Sequence, residues 1–199
     1  MQTRLFDPVR DLDRVLALYQ QCFAEPPWFE RFDPNELREE FVEMRAWPDA
    51  IMLVVEKDDQ VIAGAFGFRV LRKPDVCALI PDEDRNSLYV AELFVDPGVR
   101  ERGICRQLNE RLLRLSWAFG YRRLSVRTSV NQPAIQKLFV GHLGAKIVAK
   151  QDVVSTKWID DVEQQVPDTR ILMTGALPNF PAIDQAAHDK REYEGCWRR

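Results

Sequence analysis

The segment from Glu92 to Leu108 combines an apolar strand, a Pro-Gly turn and a basic loop in an order that suits anion binding. The loop contains Gly103 and leads into an amphipathic helix. Free N–H groups and the positive end of the helix dipole both attract anions at a helix start. Three basic residues flank this start: Arg100, Arg102 and Arg106. The segment therefore predicts a site for a phosphate-containing ligand.

Glu92 is a candidate general base because it lies within the apolar strand Leu88 to Val95. Strict alternation places it between Val90 and Phe94 on one largely apolar face, although a β-bulge would change that assignment. Burial disfavours a charged carboxylate, so it raises the pKa toward the working range of a base. The alternative is a structural acid paired with a nearby arginine. The opposite face carries Tyr89, Ala91, Leu93 and Val95.

The composition is typical of a globular domain. Of 199 residues, 30% are charged and 46% are hydrophobic, and the net charge of -3 provides no basic field for nucleic acid. No apolar run approaches the roughly 18 residues of a membrane span, and the N-terminus lacks the apolar core of a signal peptide. Four widely spaced cysteines and two histidines form no metal-binding pattern. We expect a cytoplasmic protein with no metal, nucleic-acid or membrane partner.

Helices and strands alternate around these residues. Apolar spacings of three and four predict helices, and alternation predicts strands. The predicted helices are Val9–Phe23, Pro34–Met44 and Ile104–Phe119, with another opened by Asn131 as N-cap and Pro133 in its first turn. The predicted strands are Thr3–Phe6, Ile51–Glu56, Val61–Val70, Leu88–Val95, Arg123–Val130, Ala145–Trp158 and Thr169–Gly175.

Two regions near the C-terminus are interpreted from composition. The acidic stretch Asp160 to Asp168 is interpreted as a solvated turn between the last two strands. Residues 1–177 are predicted to form one domain. Residues 178–199 form a tail that either adds a helix near Ile183 to Tyr193 or packs on a partner.

Three motifs resemble the GCN5-related N-acetyltransferase (GNAT) family. Glu92-Leu-Phe-Val-Asp-Pro97 followed by Arg100-x-x-Gly103-x-Cys105 looks like the acyl-CoA pyrophosphate loop of that family. Asn131-Gln-Pro-Ala134 leading to Leu143-Gly144-Ala145 looks like its Asn-x-x-Ala helix. Phe23-Ala-Glu-Pro-Pro-Trp28 is similar to a loop beside its acceptor site. The resemblance implies an α/β (α+β) fold with a mixed, mostly antiparallel central sheet flanked by helices.

The resemblance also implies an activity, acetyl transfer from acetyl-CoA to the primary amine of a small molecule by direct attack on the thioester. The pantetheine arm would lie in a gap where Leu88–Val95 and Arg123–Val130 part. Glu92 would take the acceptor proton, and a backbone N–H near Phe94 would stabilise the oxyanion. The implied acceptor-binding residues are Trp28 and Phe29. The implied cofactor-binding residues are Leu93, Phe94, Val95, Arg100, Glu101, Arg102, Gly103, Ile104, Cys105, Arg106, Asn131 and Phe139.

The chain departs from the family pattern at several positions. Glu101 replaces a glycine, and Cys105 replaces a glycine or alanine. Phe139 or Leu138 stands where many members have a tyrosine acid, and the spacing from there to Gly144 is about one residue longer than usual. The remaining candidate donors are Ser129, Tyr89 and Cys105.

These departures leave open a second function, a non-catalytic acyl-CoA-binding or regulatory module. An amino sugar or polyamine is the first expectation for the acceptor, and a protein N-terminus or lysine is the alternative. A homodimer through the last strands or the tail is implied by the resemblance alone.

Overall fold

Capping residues and apolar stripes explain the helices of this computed structural model, which describes residues 1–179. The Asp7 side chain accepts a hydrogen bond from the N–H of Val9, and Asp33 accepts from Asn35 and Glu36. A proline follows each of these two caps. The described α-helices are α1 (Pro8–Ala24), α2 (Pro34–Ala46), α3 (Pro74–Cys77), α4 (Ile104–Ala118) and α5 (Pro133–Gln136).

Seven strands form one mixed sheet in the order β1-β2-β3-β4-β5-β7-β6. Within the described residues, β4 and β5 pair in parallel and every other neighbouring pair is antiparallel. This confirms the predicted fold class. The strands are β1 (Gln2–Leu5), β2 (Ile51–Lys57), β3 (Gln60–Arg69), β4 (Leu88–Val95), β5 (Arg123–Ser129), β6 (Lys146–Ile159) and β7 (Val162–Ala176). The predicted tail helix near Ile183 to Tyr193 lies outside the described residues.

The two faces of the sheet carry separate hydrophobic cores. Helix α4 packs on one face, where Leu108, Leu112 and Leu115 are buried. Helices α1 and α2 cover the other face through residues such as Leu16 and Phe41. The sheet therefore separates a side that carries the basic loop from a side that carries the two N-terminal helices.

A β-bulge in β4 corrects the predicted face assignment. Phe66 pairs with Glu92 and Gly67 pairs with Val90, so Ala91 has no partner of its own in β3. One extra residue shifts the alternation. Val90 therefore shares the α4 face with Leu93 and Val95. Tyr89 shares the other face with Phe94, and Glu92 joins them there through its contact with α1.

Strands β4 and β5 part at the bulge. Their parallel pairing runs from Leu88 opposite Leu124 to Val90 opposite Val126. Beyond that point β4 continues to Val95 and β5 to Ser129 without pairing to each other. The expected gap between the two strands is therefore present.

The last two strands form a longer hairpin than the sequence predicts. Asp160 and Asp161 make its turn in the left-handed region, with φ of 51° and 59°, and β7 begins at Val162. The interpretation of the acidic stretch as a solvated turn is thus confirmed for Asp160 and Asp161, which are exposed, and was wrong for Val162 to Asp168, which belong to β7. Asp168 is a buried residue of β7 and lies 2.9 Å from Arg170.

The segment after β5 also differs from the prediction. Gln132, rather than Asn131, precedes the first turn of α5, and the Asn131 N–H donates to the Ser129 hydroxyl at 3.0 Å. Helix α5 continues as a π-helix over Lys137–His142. A π-turn accommodates one additional residue, which accounts for the longer spacing from Phe139 to Gly144.

Candidate active site

A cleft of about 850 Å³ runs through the gap between β4 and β5. It joins the basic loop on one side of the sheet to α1 and the loop that follows α1 on the other side. Twelve of the fifteen residues predicted for the site line it, namely Trp28, Glu92, Leu93, Phe94, Val95, Arg100, Glu101, Gly103, Ile104, Cys105, Arg106 and Phe139. The other three predicted residues, Phe29, Arg102 and Asn131, are not among the described residues that line the cleft.

The start of α4 has the geometry of an anion site. Gly103 precedes the helix with φ of 78°, in the left-handed region that glycine adopts without a steric penalty. No side chain of the described residues caps this end, so the N–H groups of the first turn are available to a ligand. Glu101 has φ of 64°, a conformation that costs free energy for a residue with a side chain. These residues fit a diphosphate group despite the Glu101 carboxylate.

Arg100 fixes the position of this loop. Its Nε donates to the Val95 carbonyl at 3.1 Å, and its Nη1 donates to the Glu25 carboxylate at 2.7 Å. One side chain therefore ties the basic loop to the end of β4 and to the loop after α1. Its guanidinium retains unused donors, because five N–H groups are present.

The backbone of β4 presents hydrogen-bonding groups to the gap. The Asp96 N–H donates to the Ile62 carbonyl of β3 at 2.9 Å. Alternate residues of an antiparallel strand point the same way, so the Phe94 N–H also faces β3. The N–H groups of Leu93 and Val95 then face the gap. Of the N–H groups near Phe94, those of Leu93 and Val95 are therefore the ones directed at a ligand in the gap.

Glu92 lies half-buried on the α1 side of the gap. The Tyr19 hydroxyl donates to Glu92 Oε2 at 3.0 Å. Burial raises the pKa of Glu92 to about 8, although the Tyr19 hydrogen bond acts in the opposite direction. The alternative from the sequence was a structural acid paired with a nearby arginine such as Arg69 or Arg127. These two arginines lie near Asp49 and Asp75 instead.

Tyr19 is a site residue that sequence reasoning missed. It belongs to the apolar stripe of α1, which indicates only a core position. The ring is held by aromatic contacts with Phe23, Phe41 and Phe94 at centroid distances of 4.3, 5.2 and 5.5 Å. A polar hydroxyl at the end of an otherwise buried ring was the available signal, because such a group needs a partner.

The side chains considered as proton donors to the leaving thiolate are poorly suited to that role. Burial raises the pKa of Cys105 to about 11 and that of Tyr89 to about 12. The Ser129 hydroxyl donates to Asp168 at 2.7 Å. Phe139 lines the cleft but has no exchangeable proton.

The loop after α1 forms a wall of the acceptor end together with the β6–β7 hairpin. The Trp28 ring lies 4.7 Å from the guanidinium carbon of Arg170. The Phe29 carbonyl accepts from the Trp158 N–H at 2.6 Å, so Phe29 joins the loop to β6. Lys157 Nζ donates to the Pro27 carbonyl. The hairpin thereby closes one side of the cleft.

Comparison with known families assigns the chain to a class of enzymes. A model of the acetyltransferase (GNAT) family matches residues 12–144, which is more than half of the chain. The chain belongs to this family. It is an acyltransferase, and its acyl donor is acetyl-CoA. Among curated protein sequences, none matches the chain at a significant level.

Solved structures share the same fold at low sequence identity. An N-acetyltransferase from Staphylococcus aureus Mu50 is 20% identical, with 88% of this chain and 98% of that chain covered and a TM-score of 0.66. A ribosomal-protein-alanine N-acetyltransferase from Brucella melitensis is 19% identical, with 89% and 100% covered and a TM-score of 0.68. The yncA protein from Salmonella typhimurium, solved with its cofactor acetyl-CoA, is 19% identical, with 92% and 98% covered and a TM-score of 0.65.

Proposed function

We propose that this protein transfers the acetyl group of acetyl-CoA to the primary amine of a small molecule, with Glu92 as general base. The observation that carries the proposal is the position of Glu92, half-buried beside the gap and hydrogen-bonded by Tyr19. Acetyl-CoA supplies a thioester that a neutral amine can attack. Removal of the acceptor proton and orientation of the acyl donor depend on residues of this chain.

Glu92 prepares the acceptor for this attack. An amine with an ordinary pKa reaches the enzyme mainly as an ammonium ion, which has no free electron pair. The Tyr19 hydroxyl occupies Oε2 of Glu92, which leaves Oε1 to accept the ammonium proton directly or through a water molecule. A base with a pKa of about 8 removes that proton more effectively than an ordinary carboxylate.

The edge of β4 orients the acyl donor. The gap-facing N–H groups of Leu93 and Val95 are suited to hydrogen-bond the acyl oxygen and the pantetheine amides, as an added strand would. The first turn of α4 is suited to the diphosphate. No side-chain acid is required, since a thiol with a pKa of about 8.5 leaves as a thiolate.

The closed side of the cleft supports a small acceptor rather than a polypeptide. The hydrogen bonds from Trp158 to Phe29 and from Lys157 to Pro27 join the hairpin to the loop after α1. An extended chain entering beside Trp28 would have to disrupt them. A small molecule can reach Glu92 without doing so.

Two linked measurements test the proposed function. Calorimetric titration of acetyl-CoA should show micromolar binding in the parent protein and its loss in Gly103→Asp, which adds a carboxylate at the anion site. Gly120→Asp is the matched control, because Gly120 follows the far end of α4 with φ of 90° and open space around it. The control should bind acetyl-CoA as the parent does.

Thiol release from acetyl-CoA is the second measurement. We expect release that depends on an added amine and falls about 10²–10⁴-fold in Glu92→Gln, with unchanged affinity for acetyl-CoA. Binding of acetyl-CoA without thiol release across a broad panel of amines would contradict the proposed function and support the binding-module alternative.

A further inference from the structure

The acceptor end of the cleft is bordered by more positive than negative side chains. Among the described residues that line this end, Glu30 is the one carboxylate besides Glu92. Three cations lie around them: Lys73, Arg127 and Arg170. Asp168, the last residue of the acidic stretch, adds no unpaired negative charge at this end, because it lies 2.9 Å from Arg170.

Arg127 and Arg170 lie on the sheet face that carries Glu92. Arg170 is opposite Ser129 in the β5–β7 pair, and Arg127 lies two residues before Ser129 on β5. Residues two apart on a strand share a face. Leu172, opposite Arg127, packs in the same core as Tyr19, so this face is the α1 side.

The two arginines differ in how firmly their charges are neutralised. Arg170 lies 2.9 Å from buried Asp168 and is oriented by the Trp28 ring. Arg127 lies 3.0 Å from Asp75, whose side chain is 56% exposed. An exposed ion pair contributes little free energy, so a ligand carboxylate can replace Asp75. The planar guanidinium of Arg127 is suited to bind such a carboxylate through two parallel hydrogen bonds.

We propose that the acceptor is an amino acid, whose amine lies at Glu92 and whose carboxylate is bound by Arg127. This inference rests on the proposed function. Lys73 adds a second positive charge at the same wall, since it lines the cleft and its nearest carboxylate, Glu40, is 3.9 Å away. Polyamines and amino sugars, the acceptors expected from the sequence, would place additional positive charge against this wall.

The test compares each amino acid with the amine formed by its decarboxylation, using thiol release from acetyl-CoA. Suitable pairs are phenylalanine with phenethylamine, tryptophan with tryptamine, histidine with histamine and lysine with cadaverine, within a panel of all the protein amino acids. We expect kcat/KM to be at least tenfold higher for the acid in the best pair. In Arg127→Gln the acid should lose this advantage, whereas the amine should be unaffected.

Two further variants make the result specific. Arg127→Lys keeps the charge but not the two parallel donors, so it should retain part of the preference. Arg122→Gln is the control, because the Arg122 guanidinium lies over Trp117 and outside the cleft. It should behave as the parent protein does.

Other outcomes would overturn the inference. Equal kcat/KM for acids and amines, an amino acid amide accepted as well as the free acid, or an unchanged preference in Arg127→Gln would each contradict a carboxylate site at Arg127. The comparison of acids with amines in the parent protein needs no variant. No thiol release from any acid or amine would instead contradict the proposed function itself.

Discussion

At the scale of single residues, the proposed activity depends on the pair formed by Glu92 and Tyr19. A half-buried carboxylate beside the gap would hold its proton too tightly if burial acted alone. The Tyr19 hydroxyl offsets part of that effect by donating to the charged form. The hydrogen bond therefore sets how much Glu92 is available as a base near neutral pH.

Tyr19→Phe should reduce the fraction of Glu92 that is ionised near neutral pH, while leaving the packing of α1 intact. In the parent protein the hydrogen bond from Tyr19 lowers the pKa of Glu92, so the loss of this bond raises that pKa further. We expect the rising limb of kcat/KM to move to higher pH, with a lower rate at pH 7 and recovery in alkaline solution. The profile of kcat/KM against pH measures this.

Tyr121→Phe is the control for this change. The Tyr121 hydroxyl donates to the Asp49 carbonyl at 3.2 Å, and Tyr121 does not line the cleft among the described residues. Its profile should match that of the parent protein. A Tyr19→Phe profile that also matched the parent would show that the hydroxyl does not act on the base.

At the scale of elements, the shape of β4 creates the site. The bulge at Ala91 ends the pairing with β5 and turns Glu92 to the α1 face. Packing against β3 fixes the strand beyond the bulge. The Phe94 ring covers Gly64 so closely that a Cβ there would lie 2.2 Å from its Cζ atom.

Gly64→Ala should therefore destabilise the protein by about 1–3 kcal/mol, as overpacking of a core does. Gly141→Ala is the matched control, because its added Cβ would lie 3.8 Å from Lys137 Cγ, an ordinary van der Waals contact. A helical Gly→Ala change without a clash stabilises by about 0.4–1 kcal/mol. Urea unfolding should give opposite signs for the two variants, and equal effects would contradict this packing.

Regular elements could be predicted from the sequence because their signals are local. The periodicity of α4 and the apolar run of β4 gave both elements nearly at their observed bounds. The sequence left a bulge in β4 open, because its presence depends on the register with β3. The turn at Asp160 was predicted, but the acidic composition suggested that it extends to Asp168, whereas cross-strand pairing places Val162 to Asp168 in β7.

The candidate site shows the same division. An anion site in the loop from Arg100 to Arg106 could be predicted because the glycine, the arginines and the helix start lie close together in sequence. Tyr19 and Glu92 are 73 residues apart, so their hydrogen bond follows only from the folded arrangement. Arg127 was considered only as a structural partner for Glu92, and its place at the acceptor wall depends on the order of the strands.

At the scale of the whole molecule, the site makes stability depend on pH. The pKa of Glu92 is about 8 in the folded protein, against 4.5 as its ordinary value. Between these values the folded state holds a proton that the unfolded state has released. The free energy of unfolding therefore decreases as pH rises through this range.

Glu92→Gln should remove this contribution. The free energy of unfolding of the variant, relative to that of the parent, should increase from pH 5 to pH 8 and then become constant. Denaturant unfolding across this range measures the difference, in which the other titrating groups cancel. A difference independent of pH would mean that Glu92 has the same pKa in both states.

No helix of the described residues is long and apolar enough to cross a membrane. Within these residues the sheet, the two cores and the hairpin converge on one cleft that holds Glu92. We thus propose that a fold which binds acetyl-CoA places one carboxylate, Glu92, as the base for the acceptor.

The most direct test is the pH dependence of kcat/KM for acetyl transfer in the parent protein and in Glu92→Gln, with one accepted amine. We expect the parent rate to rise through an apparent pKa near 8. In the variant that limb should be absent, leaving a rate about 10²–10⁴-fold lower that follows only the ionisation of the acceptor. A variant with the parent's profile and rate would contradict the assignment of Glu92 as the general base.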